Sequence, residues 1–246
     1  MVFFSPLVPR RACDYELTFA TEHYNVDLAL LLRSRHGWDG QGPIRVRVNI
    51  PSTGRVKSNK HDKPAFSTGN LPAGSGVVLQ QDGLILGAGG PGCDCGWWNQ
   101  PRPGFDGGTA LRVTVETLMT GGGSLFAGGG GGANGGHNNG YRFDGAGGGG
   151  AGSDPGTGGA GSPFRWGNGW GGGHPGQNGT STTGGAGGGA ANDAGRCDTI
   201  PGGRGGDLGR PGESARGAPG GKAGHAILGL ANLVRRDKNT IRGLVA

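Results

Sequence analysis

"GGRGGDLGRPGESARGAPGGKAGH", residues 202–225, decides how the chain is read. Taken at every third position from Gly203, it runs Gly203, Gly206, Gly209, Gly212, Ala215, Ala218, Gly221 and Gly224, with no side chain larger than a methyl group. Between these positions stand Arg, Asp, Leu, Pro, Glu, Ser and Lys. Three readings compete: a flexible linker, a collagen-like strand, and a folded body that packs through glycine. An extended helix of the polyproline II type has three residues per turn and a rise of about 3.1 Å, so every third residue faces the same neighbour. Glycine at that face lets such rods approach and hydrogen-bond laterally, which gives their buried N–H and C=O groups partners. One unbroken rod over 202–225 would run on the order of 70 Å with nothing along it, whereas passes of about eight residues, about 25 Å each, make a compact sandwich. Collagen requires Gly-X-Y without interruption, and both Gly128–Gly132 and "SPFRWGNGW" (162–170) break that period.

Glycine supplies 62 of the 246 residues, and 44 of those lie in 121–225, where Leu, Ile, Val and Phe together occupy six positions. A conventional apolar core is excluded there, and composition alone points to disorder. The aromatic residues oppose that reading, because nine of the sixteen fall between Trp97 and Trp170, and a spacer has no use for clustered Trp and Tyr. The formal charge of +6 suits an anionic partner such as lipopolysaccharide phosphates or nucleic acid, but it is spread over the whole chain. Four cysteines (Cys13, Cys93, Cys95, Cys197) are too few for a disulfide framework at this length. No run approaches the roughly 18 apolar residues of a membrane span. "MVFFSPLVPRR" lacks the basic start and cleavage site of a signal peptide.

Residues 1–120 read as a small β-rich fold with one short helix. "YELTFATE" (15–22) is a strand, and "NVDLALLLRSR" (25–35) has helical length with Asn25 available as its cap. "PIRVRVNIP" (43–51) alternates strictly, with Ile44, Val46, Val48 and Ile50 on one side and Arg45, Arg47 and Asn49 on the other, as a half-buried strand does. "GVVLQQDGLILGAGG" carries two apolar runs around Gln-Gln-Asp-Gly and predicts a hairpin. "ALRVTVETL" (110–118) predicts one further strand. After His225, Ala226–Arg235 and Thr240–Val245 predict two strands with a turn at Asp237–Asn239. The glycine-rich 121–225 is then an insertion held between ordinary β segments, with 226–246 docking back on the first strands.

The resemblance to known proteins lies in "IPSTGRVKSNKHDKPAFSTGNLPAGSGVVLQQDGLILGAGG", then glycine blocks, then "GGKAGHAILGLANL" and "TIRGLVA". From about Tyr24 to the C-terminus this order resembles distal tail-fibre and tail-tip proteins of tailed bacteriophages. It is similar to the glycine-rich receptor-recognition adhesins of T-even-like phages and to the C-terminal parts of central-fibre proteins in lambda-like siphophages. The resemblance implies a polyglycine II helix sandwich whose loops at one end contact a host surface receptor, an outer-membrane protein or lipopolysaccharide. It also implies that the N-terminal part joins the tip to other tail proteins, and that the chain is made in the host cytoplasm and resides in the virion. A structural tail-tip role without receptor contact is the alternative.

Candidate chemistry is sparse. Gly87-Ala-Gly89-Gly90-Pro91-Gly92 matches G-x-G-x-x-G, but a dinucleotide site needs a helix to begin there and Pro, Cys-Asp-Cys and Trp-Trp follow. "GGKAGH" lacks the Ser or Thr of a phosphate loop. Cys93-Asp-Cys95 is too tightly spaced for the usual zinc pair, so no metal and no cofactor is read. The sequence leaves open whether Cys93, Cys95 and Cys197 pair or bind a metal. No nucleophile elbow or paired-carboxylate signature appears, which predicts a binding protein rather than an enzyme. One Arg-Gly-Gly at Arg204 does not make a nucleic-acid site. The candidate receptor-binding residues are Trp97, Trp98, Arg102, Phe105, Tyr141, Arg142, Phe143, Phe164, Arg165, Trp166 and Trp170, the residue types that dominate binding hot spots. The competing use of these rings is to cap the ends of the glycine bundle against water.

Overall fold

The computed structural model describes residues 13–94, 102–135, 145–160, 174–189 and 201–246. "PIRVRVNIP" forms as its alternation predicts: in β4 (Arg45–Ile50) Val46, Val48 and Ile50 are buried and Arg47 is exposed. Its neighbours are not sequence neighbours. β4 pairs in parallel with β1 (Tyr15–Thr18) and β7 (Gly76–Gln81), so that Tyr15, Val46 and Val77 stand in one column. β10 (Glu116–Gly121) and β13 (Leu233–Asp237) extend the same sheet. A second sheet orders β2 (Glu22–Tyr24), β5 (Arg55–Lys57), β8 (Leu84–Leu86), β11 (Ser124–Phe126) and β14 (Thr240–Arg242). A third orders β3 (Val26–Asp27), β6 (Phe66–Ser67), β9 (Leu111–Arg112), β12 (His225–Leu228) and β15 (Leu244–Val245). Every pairing among these strands is parallel and every third strand shares a sheet, so the chain winds five times around a three-sided coil.

The interior of the coil holds the apolar core. Leu17, Val48, Leu79 and Met119 line the first face, Val56, Ile85 and Leu125 the second, and Phe66, Leu111 and Ile227 the third. Full burial of one such side chain stabilises by about 1.5–3 kcal/mol, which lets two- and three-residue strands hold their place. The C-terminal strands contribute to all three faces, and Ile227 is fully buried.

Five local expectations are corrected. "YELTFATE" is not one strand: it ends β1 at Thr18 and enters β2 at Glu22, in a different sheet. Gln-Gln-Asp-Gly does not close a hairpin: β7 and β8 lie in different sheets. The N–H groups of Asp82 and Gly83 both donate to Ile50 O, at 2.9 and 3.0 Å, one coil away. The turn is thus bound to its neighbour and becomes a corner. Gly54, Gly83 and Gly123 stack at that corner, and a methyl group on Gly83 would overlap the carbonyl oxygens of Gly54 and Pro51. "ALRVTVETL" is likewise two strands in different sheets, β9 and β10, with Thr114 Oγ1 and Thr68 Oγ1 hydrogen-bonded at 2.8 Å at the bend. The helix α1 (Leu28–Arg35) is capped by Asp27, whose Oδ1 accepts the Leu30 N–H at 3.0 Å. Asn25 instead adopts φ +47°, a left-handed conformation Asn tolerates. The single short α-helix among the described residues agrees with the sequence reading, and one 3-10 turn at Leu230–Asn232 accompanies it. The C-terminal region is divided further than expected, into β12, β13, β14 and β15.

Both glycine-rich insertions leave the coil at one corner, between the second and third faces: 87–110 follows β8 and 127–224 follows β11. In 127–135 successive amides address three neighbours in rotation. Gly128, Gly131 and Asn134 donate to Gly108, Phe105 and Arg102 at 3.0, 2.8 and 3.3 Å. Gly129, Gly132 and Gly135 donate to Ala151, Gly148 and Gly145 at 2.8, 2.8 and 3.0 Å. Gly130 and Ala133 donate to Arg210 and Glu213 at 3.0 and 3.1 Å. The 145–153 segment repeats the pattern: Ala146, Gly149 and Gly152 turn to His174, Gln177 and Thr180, while Gly147, Gly150 and Ser153 turn to Cys93, Gly90 and Gly87. Gly148 and Ala151 turn to Gly203 and Gly206.

Both segments also accept hydrogen bonds from three others. The 127–135 carbonyls receive amides of 87–94, 201–208 and 218–224; those of 145–153 receive amides of 127–135, 154–160 and 184–189. Each of the two therefore has six bonded neighbours among the described residues. The 202–225 stretch makes three passes, 202–208, 210–214 and 218–224. Gly209 turns the chain at φ +68°, and Arg216 and Gly217 at φ +41° and +83° form a two-residue turn closed by the Ala215–Ala218 amide pair at 3.0 and 2.9 Å. Gly203, Gly206, Gly221 and Gly224 are buried, while Arg204, Arg210, Glu213 and Lys222 are exposed.

Candidate functional site at the far end of the glycine bundle

The bundle has one end tied to the coil and one end free of it. At the near end Ser153 Oγ donates to Leu86 O at 3.1 Å and accepts the Ser58 N–H at 3.2 Å. Leu208 packs with Leu86 and Ala151, and the Gly209 N–H reaches Ala127 O at 3.0 Å. At the far end, Gly135 N–H donates to Gly145 O at 3.0 Å, His174 N–H to Gly189 O at 3.0 Å, and Gly202 N–H to Gly188 O at 3.1 Å. Asp94, Arg102, Asn134 and Ala160 meet there as well. The Arg102 N–H donates to Asn134 Oδ1 at 2.7 Å, Asn134 Nδ2 to Asp94 O at 2.8 Å, and the Ala160 N–H to Asp94 Oδ1 at 2.6 Å. The described residues that flank 95–101, 136–144, 161–173 and 190–200 all lie at this end.

Of the candidate binding residues, Trp97, Trp98, Tyr141, Arg142, Phe143, Phe164, Arg165, Trp166 and Trp170 lie outside the described residues. Arg102 is exposed at the far end. Phe105 stands three residues deeper on the flank, 53% exposed, with its ring edge-on to His61 at 5.7 Å. His61 belongs to the connection between β5 and β6, so the structure separates Phe105 from the far end and sets it beside the coil. Asn134, which the composition-based reading passed over, is buried at 3% exposure and hydrogen-bonded on both sides of its amide. Its signal was present in "GGGGGANGG", where one amide side chain interrupts a block that otherwise carries almost none.

Two of the motif expectations have a structural counterpart. No helix starts at Gly87–Gly92: Gly90 and Gly92 instead donate to Gly129 and Thr157 at 2.8 Å, as bundle residues. The Cys93 thiol is buried and free, and burial pushes its pKa above the ordinary thiol value, which leaves it little thiolate at neutral pH. Cys95 and Cys197 lie outside the described residues. Among the described residues no cluster of His, Cys, Asp or Glu is placed to hold a metal ion, and no helix is long and apolar enough to cross a membrane.

A comparison with curated proteins finds no match. Among solved structures the chain is similar to one described as the crystal structure of the gp37-gp38 adhesin tip complex of the bacteriophage S16 long tail fiber. The TM-score is 0.54 at 21% identity, over 94% of this chain and 82% of that one, a likeness of fold. The model of the phage tail fibre adhesin Gp38 family matches residues 14–245. With that match running from the first strand through the glycine bundle to the last, the chain belongs to the Gp38 family of phage tail fibre adhesins.

Proposed function

We propose that the chain binds a host cell-surface receptor, an outer-membrane protein or lipopolysaccharide, through the loops at the far end of its glycine bundle, while the β-coil joins it to the other proteins of the tail fibre. The glycine segments in this reading are polyglycine II helices packed as a three-layer sandwich. The support is the return of every third amide to the same neighbour, the behaviour of a three-residue turn. The bonded neighbours fall into rows: 102–109, 87–94 and 154–160; then 218–224, 127–135, 145–153 and 174–180; then 210–214, 201–208 and 184–189.

One observation carries the functional reading. The four stretches that hold Trp97, Trp98, Tyr141, Phe143, Phe164, Trp166 and Trp170, together with Arg142, Arg165 and Cys197, are all anchored at the same end of one hydrogen-bonded body. A hydrogen-bonded body from whose one end aromatic- and arginine-rich stretches of sequence continue suits reversible recognition, because such rings give contact area at small entropy cost and arginine adds charge complementarity. The role is binding without a chemical step.

The purified chain is expected to bind host cells and to block phage adsorption. Alanine at Trp97, Trp98, Trp166 and Trp170 together is expected to weaken cell binding by at least about 30-fold, the effect of losing one hot-spot anchor of about 2 kcal/mol. Binding unchanged by the four substitutions makes the rings caps of the bundle and favours the structural tail-tip role.

A further inference from the structure

We propose that Asn134 and Asp94 are positioning residues that bolt the bases of three far-end loops to one another; the consequence for binding rests on the receptor reading above. Asn134 Oδ1 accepts the Arg102 N–H at 2.7 Å, its Nδ2 donates to Asp94 O at 2.8 Å, and its own N–H donates to Arg102 O at 3.3 Å. One side chain thereby holds both the residue before 95–101 and the residue after it. Asp94 extends the link, since its Oδ1 accepts the N–H of Ala160, the residue before 161–173, at 2.6 Å. Gly135 adds the third base by donating to Gly145 across 136–144 at 3.0 Å.

The chemistry explains why an amide stands in a glycine block. The gap between Asp94 O and the Arg102 N–H needs one donor and one acceptor on a single planar group, which Asn supplies and Asp or Leu does not. Among the described residues, apolar packing towards the far end is limited to the methyl groups of Ala133, Ala215 and Ala218, smaller than the Leu86, Ala151 and Leu208 cluster of the near end, so hydrogen bonds carry more of the spacing of the loop bases. A loop whose ends are fixed in advance loses less freedom on binding. The side-chain hydrogen bonds of Thr180 at the near-end turn stay within that turn, whereas those of Asn134 and Asp94 cross between chain segments.

The test uses the full chain with Asn134→Ala, Asp94→Ala and Asp94→Asn, and reads amide exchange, melting temperature and dissociation from host cells. Asn134→Ala is expected to speed exchange of the Arg102 amide at least about tenfold and dissociation about tenfold, with melting shifted by less than about 3 °C. Asp94→Ala is expected to do the same at Ala160, and Asp94→Asn, which keeps the accepting oxygen, to restore wild-type exchange and dissociation. Unchanged exchange at Arg102 and Ala160, or wild-type dissociation of both alanine variants from cells that the unaltered chain binds, overturns the proposal. Where the unaltered chain binds no host cell, the receptor reading falls and exchange alone decides the positioning. Should Asn134→Ala not fold, the pair at the exposed Asp94 decides it.

Discussion

Gly131→Ala is expected to abolish the glycine bundle. Gly131 sits in the buried 127–135 segment, donates to Phe105 O at 2.8 Å and accepts the Gly221 N–H at 2.8 Å. A methyl group there would overlap Pro91 O, a backbone atom that no rotamer change can move. Relief requires 87–94 to withdraw, and that breaks the Gly90–Gly129 and Cys93–Gly132 bonds of 2.8 and 3.0 Å on either side. Each lost bond costs about 1 kcal/mol, and more where its groups stay buried and unpaired. Because 127–135 is bonded to six neighbours, the displacement spreads, and a loss of about 4–6 kcal/mol is expected against a typical total of 5–15. Gly122→Ala is the matched control, since a methyl group there meets nothing within 4 Å. Soluble yield and thermal melting should separate the two. A Gly131→Ala chain that melts within a few degrees of wild type contradicts close backbone packing at this site.

Truncation after Gly224 is expected to be as severe. It removes β12, β13, β14 and β15, and with them the partners of β9, β10 and β11 on all three faces. Ile227, fully buried between Leu111 and the other faces, goes too. Three open parallel edges and an uncovered core then remain, an arrangement prone to aggregation. The truncated chain should be recovered insoluble, or soluble without a cooperative melt. A truncated chain with a wild-type melt would mean that residues 225–246 are an appendage rather than part of the coil.

The sequence announced the glycine bundle more clearly than the coil. The frame Gly203, Gly206, Gly221 and Gly224 was legible because a three-residue period leaves a mark that side chains cannot blur; these four are buried, as are Gly205, Leu208 and Ala223 outside the frame, while Gly209 and Gly212 within it are half-buried. The strand from Arg45 to Ile50 was legible through alternation. The coil itself was not, for two reasons. Strands of two or three residues such as β6 and β9 are too short to show any period. Also, β12 finds β9 only across the whole 127–224 insertion, a pairing no local pattern reports. Gln80-Gln81-Asp82-Gly83 has the composition of a hairpin turn, and only the Ile50 carbonyl one coil away makes it a corner. At the far end, Arg102 is engaged through its backbone N–H, which no residue type announces, and Asn134 gains its meaning from the two backbone groups it meets.

Amide hydrogen exchange on the full chain is the most direct test of a hydrogen-bonded glycine bundle. Amides of 128–135 and 146–153 are expected to exchange only through global unfolding, orders of magnitude more slowly than the exposed turn at Gly217. Exchange within seconds throughout 127–224, as in a flexible linker, would contradict it.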